Sequence, residues 1–166
     1  MAKMNYRDEN GRTFLTLSKG DFINKTFEAY AESNNIGCAW LNGIGAVEDP
    51  EIGYYSLNTK SYHRKVFSGD YELTSLIGNI TIKEGKYFSH THITFSDTNY
   101  QVFGGHLFEA KITAAGEFII IPGNENINRK INKFVCFTTK KYFKIMKGIL
   151  YDSQSTNKKN ESKYIL

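Results

Sequence analysis

The chain has 166 residues and a mass of 19.0 kDa, enough for one domain with a real core and too short for two full ones. Apolar residues make up 40% and charged residues 23%, a globular balance that excludes a wholly disordered chain, and no apolar run approaches the ~20 residues of a membrane span. The net charge of +4 hides an uneven distribution: residues 126–147 hold seven Lys or Arg and no Asp or Glu, so the rest of the chain carries −3.

The first residues, Met1 to Tyr6, lack the apolar core of a secretory signal, which predicts a cytoplasmic protein. The two cysteines, Cys38 and Cys136, are far apart and have no CxxC spacing. They read as buried reduced thiols and argue against a disulfide framework or a Cys-rich zinc site.

Residues 11–17 alternate partially and predict a strand. Ser18 or Asp21 is the expected cap of a helix whose apolar face is Phe22, Ile23, Phe27, Tyr30 and Ala31, ended by Asn34, Asn35 and Gly37. Residues 36–41 predict a buried strand, closed by a tight turn at Asn42-Gly43-Ile44-Gly45-Ala46. That Gly-x-Gly has neither a third glycine nor a following Lys, which makes it a poor phosphate loop. Further strands are expected around 52–57, 62–67, 71–82, 87–95, 99–103, 107–113 and 117–121, with Lys83-Glu84-Gly85-Lys86 as one of the turns. A second helix is expected over 139–147. The sum is an α+β domain, mainly antiparallel β-sheet with a few flanking helices, over residues 1–150. Residues 151–166 form a tail in which the twelve residues Asp152–Lys163 include no apolar side chain. That composition predicts a flexible segment.

Three of the four histidines, His90, His92 and His106, fall within seventeen residues. Two positions apart on a strand, His90 and His92 point to the same face, and neutral imidazole is a preferred ligand of zinc and related divalent ions. Ser96–Asn99 reads as a hairpin turn. Pairing Phe95 with Tyr100 leaves His90 opposite Gly105, and a one-residue bulge at Gly104-Gly105 would bring His106 opposite His90. Three protein ligands with an open position are the pattern of a catalytic or exchangeable site. Glu72, Asp97 and Glu109 are candidates to orient an imidazole or act as a base, with Glu72 the first choice as a catalytic residue. His63 stands apart as a surface histidine.

His90-x-His92 followed by Gly104-Gly105-His106-Leu107 resembles the signature of the PPC domain, the conserved domain shared by plants and prokaryotes. Trp40–Val47, Tyr54-Tyr55, Tyr62-His63-Arg64 and Gly69–Ile80 are similar to further segments of that family, so the resemblance runs from about residue 11 to about 148. It implies a homotrimer built on an antiparallel sheet, with His90, His92 and His106 as ligands of a divalent metal such as Zn2+. In plant members the domain follows a DNA-binding AT-hook. Here the Gly-Arg-Pro core of that hook is missing, because neither Pro50 nor Pro122 follows an Arg.

Three functions follow from these features. One is non-sequence-specific DNA binding through the basic segment, with Arg129, Lys130, Lys133, Lys140 and Lys141 interleaved with aromatics. Another is a zinc-dependent enzyme acting on a small molecule at an open three-histidine site. The third is a metal-stabilised trimeric module that binds other proteins.

Overall fold

The structure, a computed structural model, describes residues 5–132 and 137–140. The predicted tail at 151–166 lies outside the described residues, as do Cys136, Lys133 and Lys141. Strand accounts for 68% of the described residues, with a single helix among them where a few were expected. None of the described helical residues forms a segment long and apolar enough to cross a membrane.

The chain opens with a hairpin, β1 (Asn5–Glu9) and β2 (Arg12–Ser18). The two-residue turn Asn10-Gly11 has positive φ at both positions, the twist that tight antiparallel hairpins prefer. Sequence reading placed no strand at β1. Along β2, Thr13, Leu15 and Leu17 point inward and their neighbours outward.

Helix α1 (Ile23–Ser33) buries Ile23, Phe27, Tyr30 and Ala31 against the sheet. The predicted caps, Ser18 and Asp21, are not its N-cap. Phe22 occupies that position without a side-chain cap bond, and it is exposed with the Lys25 ammonium over its ring. A helix leaves its first N–H groups without internal partners. Here Asn24 and Lys25 donate theirs to the carboxylate of Glu109, 85 residues away from Asn24 in sequence. The cap is tertiary, so no local motif announces it.

Next comes β3 (Ala39–Ser56), a single long strand. The turn expected at 42–46 does not exist. Gly43 and Gly45 lie within β3, where it runs against β5 (Asp70–Lys83) on one edge and β7 (Val102–Pro122) on the other. They are glycines because the facing strand is close: a Cβ on Gly43 would lie 2.1 Å from Phe118 Cδ1. Past a shift at Glu48–Glu51, β3 pairs with β4 (Ser61–Val66).

The remaining strands fall close to expectation. A two-residue turn at Glu84-Gly85, again with positive φ, joins β5 to β6 (Lys86–Ser96). The three strands expected between 99 and 121 merge into β7. Because β3 pairs with both β5 and β7, and β6 lies between β5 and β7, these four strands close into a ring. A barrel of this kind has few open edges. A ribbon of β8 (Arg129–Asn132) and β9 (Phe137–Lys140) follows. Thus residues 139–140 of the expected second helix are strand, and the rest of that helix lies outside the described residues.

Candidate metal centre

The ladder between β6 and β7 runs from Ser96↔Val102 to His92↔His106 and ends there. β6 continues along β5, and β7 continues along β3. Parting strands leave backbone groups without ladder partners, and such groups are costly when buried. The first turns of α1 fill the gap. Asn24 donates from Nδ2 to the carbonyls of Leu107 and Phe108 and accepts from Thr91 Oγ1. Glu28 accepts from the Ser89 N–H and Oγ. Replacing Asn24 by Ala strands these partners and is expected to cost about 2 kcal/mol, read as a lowered urea midpoint.

The three histidines meet at the point of divergence. Along β6, Ser89, Thr91 and Ile93 are buried, so the alternate residues His90 and His92 face out of the core. His106 lies opposite His92, not opposite His90, and no bulge is needed. The reason is the loop length. Asp97 Oδ1 accepts the N–H groups of Asn99 and Gln101, and Phe95 consequently pairs with Phe103 rather than Tyr100. Gly104 and Gly105 are regular ladder positions that allow close approach to the carbonyls of Ile93 and Gly53.

The ring centroids are 5.3 Å apart for His90 and His92, 5.0 Å for His90 and His106, and 5.4 Å for His92 and His106. One nitrogen from each ring lies within 4.8 Å of the other two. His106 Nδ1 is buried with no hydrogen-bond partner among the described residues. Its burial, together with the neighbouring His92, Arg129 and Arg64, pushes its pKa down to about 4. Burial lowers that of His92 too. Both imidazoles are therefore neutral at pH 7, the form that ligates metal.

Aromatic side chains hold His106. Tyr62 of β4 stacks on it at 5.0 Å and 29°, and Phe108 meets it edge-on at 5.0 Å. Arg64 lies over the other ring of this group, 3.7 Å from the Phe108 centroid. Tyr62 was assigned no role from sequence. The only available signal was that it pairs across from the strand segment facing His106, which requires the register of β3, β4 and β7 together.

The remaining predicted residues are dispersed. Glu72 is exposed, paired with Ala46 and Ser96. It sits five positions along β5 from Ile77, the partner of His92, which is roughly 15 Å. Asp97 serves its own loop. Glu109 caps α1 and its pKa is raised by burial, an effect opposed by the N–H groups it accepts. His63 is exposed beside Tyr54, and Cys38 is a half-buried free thiol.

Arg129 turns inward rather than to solvent. Its Nε donates to Thr81 Oγ1 at 2.7 Å and its Nη2 to Asn79 Oδ1 at 3.0 Å. The preceding segment sets its place: Asn126 Oδ1 accepts from Gly37, Ile127 donates to the Gly37 carbonyl, and Ile82 donates to that of Ile127. Lys130 is exposed, and Lys140 pairs with Arg129 across the β8–β9 ribbon.

A cleft of about 560 Å³ opens beside the histidines, lined among others by His90, His106, Asn24, Glu28, Phe88 and Arg129.

The sequence profile of the Plants and Prokaryotes Conserved domain matches residues 4–124. No curated protein matches the chain. Several solved structures do. A protein of Bacteroides thetaiotaomicron described as a "putative dna binding protein" is 27% identical with a TM-score of 0.80, over 84% of this chain and 97% of that one. A plant- and prokaryote-conserved protein of Pyrococcus horikoshii is 29% identical with a TM-score of 0.74, over 87% and 99%. A metal-containing protein of Archaeoglobus fulgidus is 28% identical with a TM-score of 0.73, over 84% and 99%.

Proposed function

This chain belongs to the Plants and Prokaryotes Conserved domain family, and on that footing we propose that it is a divalent-cation-binding protein, with His90, His92 and His106 as ligands, zinc as the ion and a homotrimer as the working form. The observation that carries this reading is the meeting of three imidazole nitrogens within 4.8 Å of one another, one of them on a neutral, half-buried ring whose buried Nδ1 has no hydrogen-bond partner among the described residues. Buried polar atoms are ordinarily satisfied, and a metal ion is the partner that suits three convergent imidazoles. The metal-containing relative from Archaeoglobus fulgidus supports the same reading. A bound cation would supply Lewis acidity beside the cleft. The chain's own residues would fix the imidazoles, chiefly by the stacking of Tyr62 on His106 and by the tight β6–β7 ladder.

The test is elemental analysis of purified protein beside His92→Ala. The expected result is about one zinc per chain in the wild type and a small fraction of that in the variant. Equal metal content in the two would refute the site.

Self-association is supported by the outer face of the sheet. Phe14, Trp40, Ile44, Ile77 and Ile121 are exposed there on neighbouring strands, and apolar patches of this kind mark interfaces. Sedimentation equilibrium is expected to give three times the chain mass, and Ile44→Asp to shift it toward the monomer. A monomeric wild type would contradict this part of the reading.

A second reading is non-sequence-specific DNA binding, supported by the description of the Bacteroides relative and by the pairing of Arg129 with Lys140 on the β8–β9 ribbon. It predicts an affinity that falls steeply with salt. The inward engagement of Arg129 with Thr81 and Asn79, and the concave cleft at the histidines, favour the small-molecule role.

A further inference from the structure

We infer that the cleft beside the three histidines binds a small organic carboxylate with a compact apolar body. The inference rests on the metal reading above and adds the chemistry of what that site receives. The cleft's volume of about 560 Å³ lies in the range of sites for metabolite-sized ligands. Three protein ligands on a zinc ion leave a coordination position for an external donor, and a carboxylate oxygen is one of the ligand types zinc accepts.

The charges lining the cleft point the same way. Lys25, Lys83 and Arg129 line it, against the carboxylates Glu28 and Glu109. Both carboxylates are committed to the protein itself. Glu109 accepts the N–H groups of Asn24, Lys25 and Ala110, and Glu28 accepts from Ser89 N and Oγ. With a divalent cation in place, the balance at the cleft is positive, which favours an anion. Arg129 is held in position before any ligand arrives, through Thr81 and Asn79, so less ordering remains to be done on binding.

The same hydrogen bonds argue for carboxylate over phosphate. Phosphate sites are commonly built from backbone N–H groups at a helix start or glycine loop. Here the amides of Asn24 and Lys25 at the start of α1 are taken by Glu109, and that of Ser89 by Glu28. Recognition therefore falls to the cation and the basic side chains. Leu107, Phe108, Phe88 and Tyr62 supply apolar walls, which suit a hydrocarbon body and not a hydrated inorganic ion.

The experiment is calorimetric titration of the full chain after zinc loading, with zinc content measured on the same sample. The probe is benzoate, and the comparators are its neutral counterpart benzamide and inorganic phosphate. Benzoate is expected to bind about tenfold or more tighter than benzamide, the size of effect a charge-assisted contact gives, and tighter than phosphate. Lys83→Gln is expected to weaken benzoate several-fold without changing zinc content, and Arg129→Gln to weaken it further. Because Arg129 also ties β8 to β5, Lys83→Gln keeps the result interpretable if Arg129→Gln does not fold. A chain that takes up no zinc overturns the metal reading and this inference with it. A zinc-loaded chain that binds benzoate no tighter than benzamide, or phosphate tighter than benzoate, overturns this inference alone.

Discussion

His106→Phe is expected to lose zinc and at the same time to yield a metal-free protein that resists acid better than the wild type. The loss follows from removing one of three ligands. Changes merely behind a ligand cost 10–100-fold in affinity, so removal of the ligand is expected to cost about 100-fold or more. The gain follows from linkage. In the metal-free fold the His106 pKa is depressed from 6.5 to about 4, so the unfolded chain takes up a proton there before the folded one does. Stability rises with pH wherever the unfolded state binds more protons. The contribution of a neutral His106 is therefore complete above about pH 6.5 and is lost as pH falls toward 4. The lowered pKa of His92 acts in the same direction, while the raised pKa of Glu109 opposes both, since that group is better accommodated as it protonates. A phenyl ring at 106 keeps the stack on Tyr62 and the edge contact with Phe108. It also removes a buried nitrogen that has no hydrogen bond among the described residues. Urea midpoints in chelator at about pH 7.5 and about pH 5 check this: the wild type should lose more stability between the two than the variant. Equal losses would show that His106 is not the titrating group.

The histidines illustrate what sequence could and could not convey. Two-residue periodicity placed His90 and His92 on one face of β6, and that is where they lie. The expected bulge that would bring His106 near them does not form, because the five residues from Asp97 to Gln101 close the loop in place of the expected Ser96–Asn99 turn. The cluster was legible from spacing and resemblance, but its register depended on an Asp97 side chain capping its own loop. Glu109 and Asn24 were harder still. Asn24 has its role because β6 and β7 part beyond His92 and leave the Leu107 and Phe108 carbonyls to be satisfied, and Glu109 has its role because the start of α1 is seated there with free N–H groups, both long-range consequences of which strand pairs with which. The apolar face of α1 was readable from Ile23, Phe27, Tyr30 and Ala31 alone, since burial of a helical stripe depends little on what it packs against. By contrast, the hairpin of β1 and β2 is signalled locally, by Asn10-Gly11 with positive φ at both positions.

The glycines of β3 give the largest expected effect on the fold. Gly43→Ala is expected to destabilise the protein by about 3 kcal/mol, or roughly 10 °C in thermal midpoint for a chain of this size. The added Cβ would stand 2.1 Å from Phe118 Cδ1 and 2.6 Å from the Glu117 carbonyl, well inside contact distance. Phe118 has little room to yield, being 2% exposed and packed edge-on against Phe27 of α1 with centroids 5.1 Å apart. Relief must come from parting β3 and β7, and that pairing closes the ring of strands. Gly85→Ala is the fitting control. Its Cβ would meet nothing within 4 Å, and its only burden is a φ of +77°, which costs about 1 kcal/mol. Trimming the obstruction should also rescue the first change: Phe118→Leu together with Gly43→Ala is expected to be less destabilising than the two single effects added. Strict additivity in that double-mutant cycle, or a Gly43→Ala cost no larger than that of Gly85→Ala, would mean that close approach at Gly43 is not what its missing side chain serves.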